Sequence, residues 1–142
     1  MASSISFWDK LLINAAVLGD LDDLETALTF GARVTTRKDG WTPLHRAAKN
    51  GHLNICEYIM DKIENINPGD NKGWTPYHSA ASEGHLNVCK HIMDKIENKN
   101  PGSNDGWTPY HSAALQGHLD ICKYIIEKVE DKNPFERSLR TL

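Results

Sequence analysis

No block of lysines or arginines occurs anywhere in these 142 residues, no apolar run approaches the length of a membrane span, and cysteine is scarce, with three copies. A bilayer-crossing helix needs roughly 18 or more apolar residues in a row, so membrane insertion is not expected. Acidic and basic residues are interspersed to a net charge of −3. Nothing in that pattern neutralises a row of phosphates, and nucleic acid is a poor candidate partner. The stretch from Met1 to Asp9 has no basic region followed by an apolar one, so it is not read as a secretory leader, and a cytoplasmic or nuclear location is expected. Catalytic signatures are missing as well. There is no glycine-rich phosphate loop, no His-Glu-x-x-His, no Cys-x-x-Cys and no Gly-x-Ser-x-Gly, so neither enzymatic activity nor a cofactor is expected.

What the sequence does contain is a word repeated at one spacing. Gly40-Trp41-Thr42-Pro43-Leu44-His45 returns 33 residues later as Gly73-Trp74-Thr75-Pro76-Tyr77-His78 and again as Gly106-Trp107-Thr108-Pro109-Tyr110-His111. The same period carries Gly51-His52, Gly84-His85 and Gly117-His118, the cysteines 56, 89 and 122, and Asn-Pro at 67, 100 and 133. Such a period marks a stacked-repeat protein, in which one supersecondary unit buries its apolar face only when a neighbour covers it.

Each repeat reads as a polar turn followed by two helices. Thr42, Thr75 and Thr108 are placed to cap a first helix, and the proline after each has a φ suited to its first turn. Alanine pairs such as Ala80-Ala81 allow close approach, and Gly51, Gly84 and Gly117 end the helix. A second helix carries a stripe such as Leu86, Cys89, Ile92, Met93 and Ile96, the spacing of one helical face. Residues 7–18 and 21–30 form a further helix pair without the signature, which reads as an N-terminal cap with a water-compatible outer face. Equivalent helices about 8–10 Å apart hold the cysteines too far apart for adjacent copies to pair, since a disulfide needs its Cα atoms within roughly 7 Å. They read as small buried hydrophobes. The three-fold sets His45, His78, His111 and His52, His85, His118 could in principle hold a metal, but no converging ligand set is evident, and no metal is expected.

The pattern Gly-Trp-Thr-Pro-Leu-His-x-Ala-Ala-x-x-Gly-His-Leu over 40–53, repeated at 73–86 and 106–119, resembles the ankyrin repeat. The resemblance spans residues 7–134. It implies an all-α repeat solenoid, a stack of helix-turn-helix units joined by β-hairpin-like loops. The units are a capping pair at 1–38, repeats at 39–71, 72–104 and 105–134, and a tail at 135–142. It implies that the histidines bridge neighbouring loops and helix ends by hydrogen bonds. Two departures stand out. Tyr77 and Tyr110 replace the usual leucine, so the packing site there must admit a ring. Ile63, Ile96 and Val129 replace the usual glycine after the second helix, and a β-branched residue resists the left-handed conformation, so those helices either run on or end by another geometry.

The resemblance also implies a non-catalytic module that binds another protein through its concave face of hairpin tips and inner helices. The expected contact residues are Trp41, Arg46, Lys49, Trp74, Ser79, Ser82, Glu83, Trp107, Ser112, Leu115 and Gln116. Most of these sit where the repeats differ most from one another. The tryptophans have two readings at this point, as partner anchors or as rings packed along a neighbouring hairpin. The last helix pair keeps the interior apolar pattern and shows no polar cap. Three readings follow: a segment of a longer array such as a channel's cytosolic arm, a tail that folds over the end, or self-association through that face. The sequence is also compatible with a small stand-alone inhibitor of an enzyme or transcription factor and with an engineered repeat scaffold.

Overall fold

The computed structural model describes residues 5–131 of the chain. Eight helices lie within them, in four antiparallel pairs: α1 (Phe7–Leu18) and α2 (Leu21–Thr29), α3 (Pro43–Lys49) and α4 (Leu53–Met60), α5 (Pro76–Glu83) and α6 (Leu86–Met93), α7 (Pro109–Leu115) and α8 (Leu119–Asp131). The inner helices α1, α3, α5 and α7 pack closely in a row, while the outer ones touch more loosely. Ala47, Ala48, Ala80, Ala81 and Ala113 are fully buried along the inner row, where small side chains let backbones approach. Between the layers lies one continuous core that includes Leu12, Leu24, Ile55, Ile59, Tyr77, Ile92, Ile121 and Ile125. The chain is thus an all-α repeat solenoid, and the only pairing of strand type among the described residues is an isolated bridge between Lys38 and Trp41.

Local chemistry starts and stops these helices as the residues dictate. The hydroxyls of Thr42, Thr75 and Thr108 accept from the amides of His45, His78 and His111. In return the Nδ1 of each histidine accepts from the threonine's own amide, at 3.1, 3.2 and 3.0 Å. This reciprocal pair satisfies two orphan donors of the first turn, with histidine in the place where glutamate or glutamine is usual. Leucine or tyrosine two residues after each threonine then points into the core. Tyr77 is fully buried, and its hydroxyl donates to the Lys99 carbonyl at 2.7 Å, which is how the stack admits the ring that replaces leucine.

Both ways of ending a helix without the usual glycine occur. α4 and α6 stop at Met60 and Met93 with Asp61 and Asp94 still right-handed, ahead of Ile63 and Ile96, which pack half-buried against the core. α8 instead continues through Val129 to Asp131. No isoleucine or valine among the described residues takes a positive φ.

The N-terminal pair departs from the expectation of a water-compatible outer face. Asp22, Asp23 and Glu25 are exposed, but so are Phe7, Leu18 and Phe30. Trp8 stacks on Phe30 at 4.7 Å and meets Phe7 edge-on at 4.9 Å, so the aromatic rings at this end shield one another rather than being absent. Beneath them Asp9, 1% exposed, takes the Arg33 amide at 2.7 Å and its guanidinium at 2.9 Å. That ties α1 to the loop after α2.

Candidate functional site

Turn chemistry sets the tips. In the first repeat Lys38 and Trp41 exchange both backbone hydrogen bonds across Asp39 and Gly40, which both have positive φ. That is the two-residue mirror-image turn for which Asp-Gly is preferred. The next two tips are one residue longer. Asp70 N–H donates to the Trp74 carbonyl and Gly73 N–H to the Asp70 carbonyl, and Ser103, Gly106 and Trp107 repeat the arrangement. The carboxylate of Asp70 accepts from the amides of Lys72 and Trp74 and from the Trp41 indole at 3.0 Å. Burial acts to raise its pKa, but these three donors outweigh it and hold the carboxyl below its ordinary range.

Two sets of histidines lock each repeat to its neighbours. His45 Nε2 lies 2.9 Å from the Trp74 carbonyl and His78 Nε2 lies 2.7 Å from that of Trp107, so each inner helix holds the next hairpin. His52, His85 and His118 reach backwards to the carbonyls of Val17, Lys49 and Ser82, capping the last turn of the preceding inner helix. Because a carbonyl only accepts, Nε2 carries the proton and Nδ1 is left to accept from threonine. The imidazoles of His45 and His78 are therefore neutral, and burial pushes both pKa values down, that of His45 to about 4. The bridging role implied by the family resemblance is present in the structure. Among the described residues no group of three His, Cys, Asp or Glu side chains is placed to hold a metal. The thiols of Cys56, Cys89 and Cys122 are free and buried, with burial pushing their pKa values up, that of Cys56 to about 12.

Each tryptophan ring lies over the histidine of its own repeat, with centroids 5.2, 4.9 and 4.9 Å apart for Trp41, Trp74 and Trp107. Its other side lines a groove of about 520 Å³ along the hairpin tips, completed by Asp70, Lys72, Ser103 and Asp105. A second recess of about 200 Å³ opens beside it toward the inner helices, between Trp41, Lys49, Trp74, Ser82 and Glu83. Both readings of the tryptophans are thus partly realised, since one face packs and the rest lines a surface groove.

The other expected contact residues fall into three groups. Lys49, Ser82 and Glu83 line the recess, and Arg46 lies over the Trp41 ring. Ser79 and Ser112 are buried, each accepting the indole N–H of Trp74 or Trp107 at 2.8 Å. They orient the rings, and Ser79 also lines the recess beside Trp74. Leu115, 71% exposed, and Gln116 lie at the end of α7, away from both recesses. Asp70, Lys72, Ser103 and Asp105 complete the groove. They belong to the hairpin tips expected to form part of the binding face, although the sequence did not single them out within those tips.

A family model described as "Ankyrin repeats (3 copies)" matches residues 12–101, and one described as "Ankyrin repeat" matches residues 105–137. The first match begins inside α1, so most of the N-terminal helix pair lies within it.

Proposed function

The chain belongs to the ankyrin repeat family, whose repeats are generally protein–protein interaction modules and typically non-catalytic, and from that premise we propose that it binds a partner protein through its hairpin tips and inner helices. The observation that carries this reading is the tryptophan-lined groove. Three large, partly buried rings, held rigid by stacking and by hydrogen-bonded indoles, present apolar area with little conformational entropy left to lose, which is the character of interface anchors. Side chains at Lys49, Ser82 and Glu83 supply specificity around them. The free, buried thiols fit a reducing, cytoplasmic or nuclear place of action. Among the described residues no helix is long and apolar enough to cross a membrane.

The test is capture of partners by three forms of the folded protein. These are the wild type, a concave-face variant carrying Ser82→Arg, Glu83→Lys and Trp107→Ala, and a control carrying Glu57→Arg on the outer helix α4. A partner kept by the wild type and the control but lost by the concave-face variant bears the proposal out. A partner lost only by the control refutes it.

A second reading has its own observation. Leu115, Leu119, Ile126 and Val129 leave an exposed apolar face on α7 and α8, which a further repeat or a second copy of the chain would cover. Light scattering at rising concentration decides between a second copy and none.

A further inference from the structure

The three indoles are not equivalent. Over the Trp41 ring lie two cations of the protein's own, with Arg46 Cζ 5.7 Å and Lys49 Nζ 5.8 Å from the centroid. One repeat on, those two register positions are Ser79 and Ser82, and one further they are Ser112 and Leu115. Neither Trp74 nor Trp107 has a cation over its ring among the described residues. Carboxylates gather there instead. Asp70 and Asp105 line the groove against the single ammonium of Lys72, and Glu83 stands in the adjoining recess, whose one ammonium, Lys49, lies over the Trp41 ring. The side chains of Asp105 and Glu83 have no hydrogen-bond or ion-pair partner among the described residues.

A tryptophan face attracts a cation by about 0.5–2 kcal/mol, and more as water is excluded. A nearby carboxylate adds to that attraction. The first repeat shows the arrangement completed internally, and the next two repeats also set a tryptophan on their histidine, its indole donating to Ser79 or Ser112 where that of Trp41 donates to Asp70, with the cation missing. Stacked helices lie about 8–10 Å apart, and a polyproline-II segment rises about 3.1 Å per residue with three residues per turn, so every third side chain returns to the same side about 9 Å further on and matches successive rings. Arginine suits the site better than lysine, because its planar, weakly hydrated guanidinium stacks on a ring while donating to carboxylates.

We propose that the groove takes a segment of the partner in the polyproline-II conformation carrying two arginines three positions apart, one over Trp74 and one over Trp107, with Asp105 and Glu83 as their counter-charges. This rests on the reading of the hairpin face as a protein-binding surface and specifies the chemistry of what binds there.

Blocked peptides of sequence Gly-Arg-Ala-Ala-Arg-Gly, the same with glutamate for arginine, and the same with leucine serve as probes. They are titrated into nitrogen-15-labelled protein while the indole N–H resonances of Trp41, Trp74 and Trp107 are followed, with that of Trp8 as a remote reference. The arginine peptide is expected to shift Trp74 and Trp107 well beyond Trp41, with a Kd that weakens about ten-fold in Asp105→Lys, an exposed change that leaves the fold intact. Moving the two arginines side by side is expected to weaken binding several-fold. Unmoved Trp74 and Trp107 indoles, or binding indifferent to Asp105→Lys, overturn the inference. Shifts caused by the glutamate or leucine peptide instead overturn the basic occupant but leave the face a protein-binding one. The capture experiment with the concave-face variant stands or falls separately from all of these.

Discussion

Acidification should weaken the lock by which His45 holds the next hairpin. The ring is fully buried, with Nδ1 accepting from Thr42 and Nε2 donating to the Trp74 carbonyl of the next hairpin. Burial is the largest influence and pushes its pKa down. The Trp74 carbonyl and Asp70 act to raise it, Arg37 and Arg46 to lower it, and the balance lies at about 4. Protonation would place a second N–H against the threonine amide that Nδ1 now accepts, and the box would open. A depressed folded pKa means that the unfolded chain takes up the proton first. The stabilisation is therefore complete above the unfolded value of about 6.5 and is lost as the pH falls toward 4. From these two values the loss is about 1 kcal/mol at pH 5.5 and roughly 2–3 kcal/mol at pH 4.5. His78 titrates in the same direction. The assay is urea unfolding followed by circular dichroism for wild type and His45→Gln between pH 7.5 and 4.5, read as the difference between the two so that carboxylate titrations largely cancel. That difference should shrink steadily as the pH falls. A constant difference across the range would refute the neutral, buried imidazole.

Gly51→Ala and Gly117→Ala share nearly the same backbone, with φ of +72° and +78°, but a Cβ at 51 would lie 2.5 Å from the His85 ring, whereas at 117 it meets no atom within 4 Å among the described residues. Chemical denaturation should therefore show about 1 kcal/mol lost at Gly117 from left-handed strain alone, and about 2–3 kcal/mol at Gly51, where the His85 bridge to Lys49 is also lost. Equal costs would contradict the cross-repeat role of that histidine. Leu44 stands where Tyr77 stands one repeat later, and beside it Val34, Lys62, Ile63 and Pro68 border a groove of about 460 Å³. Leu44→Tyr should be neutral or raise Tm by a few degrees, and a fall of more than about 10 °C would show that the groove is not a vacant tyrosine berth. At pH 8 the thiols of Cys56 and Cys89 should react with an aromatic disulfide reagent only at the rate of unfolding, because burial disfavours both access and the thiolate. Labelling that outruns unfolding would place them nearer the surface.

Local signals carried much of the fold. Thr-Pro and Asp-Gly act through the backbone of their own or adjacent residues, so their meaning does not depend on a distant partner. Thr42, Thr75 and Thr108 cap helices for that reason. The returning half of the box, His45 to the Thr42 amide, was not legible, because histidine is not the residue expected there. The groove was legible in part. Trp41, Trp74 and Trp107 announced themselves by size and position, while Ser79 and Ser112 resemble surface residues until the indole is seen folded over them. Burial of a small side chain depends on where a large neighbour lies, and spacing along one helix does not report that.

The sequence by itself determined the repeat, the number of helix pairs, the residues that begin each inner helix, and the placing of one thiol and two imidazoles per unit. A 33-residue period imposes the same local chemistry at every turn of the stack. Only the tertiary structure decided what the period leaves free. It showed which way each ring leans, that Arg46 and Lys49 close over Trp41 while Trp74 and Trp107 stay uncovered, and that Asp70 reaches the indole of the preceding repeat. Those contacts join residues about 29 positions apart or set one side chain above another. They arise from stacking one unit on the next, a relation that no single repeat contains.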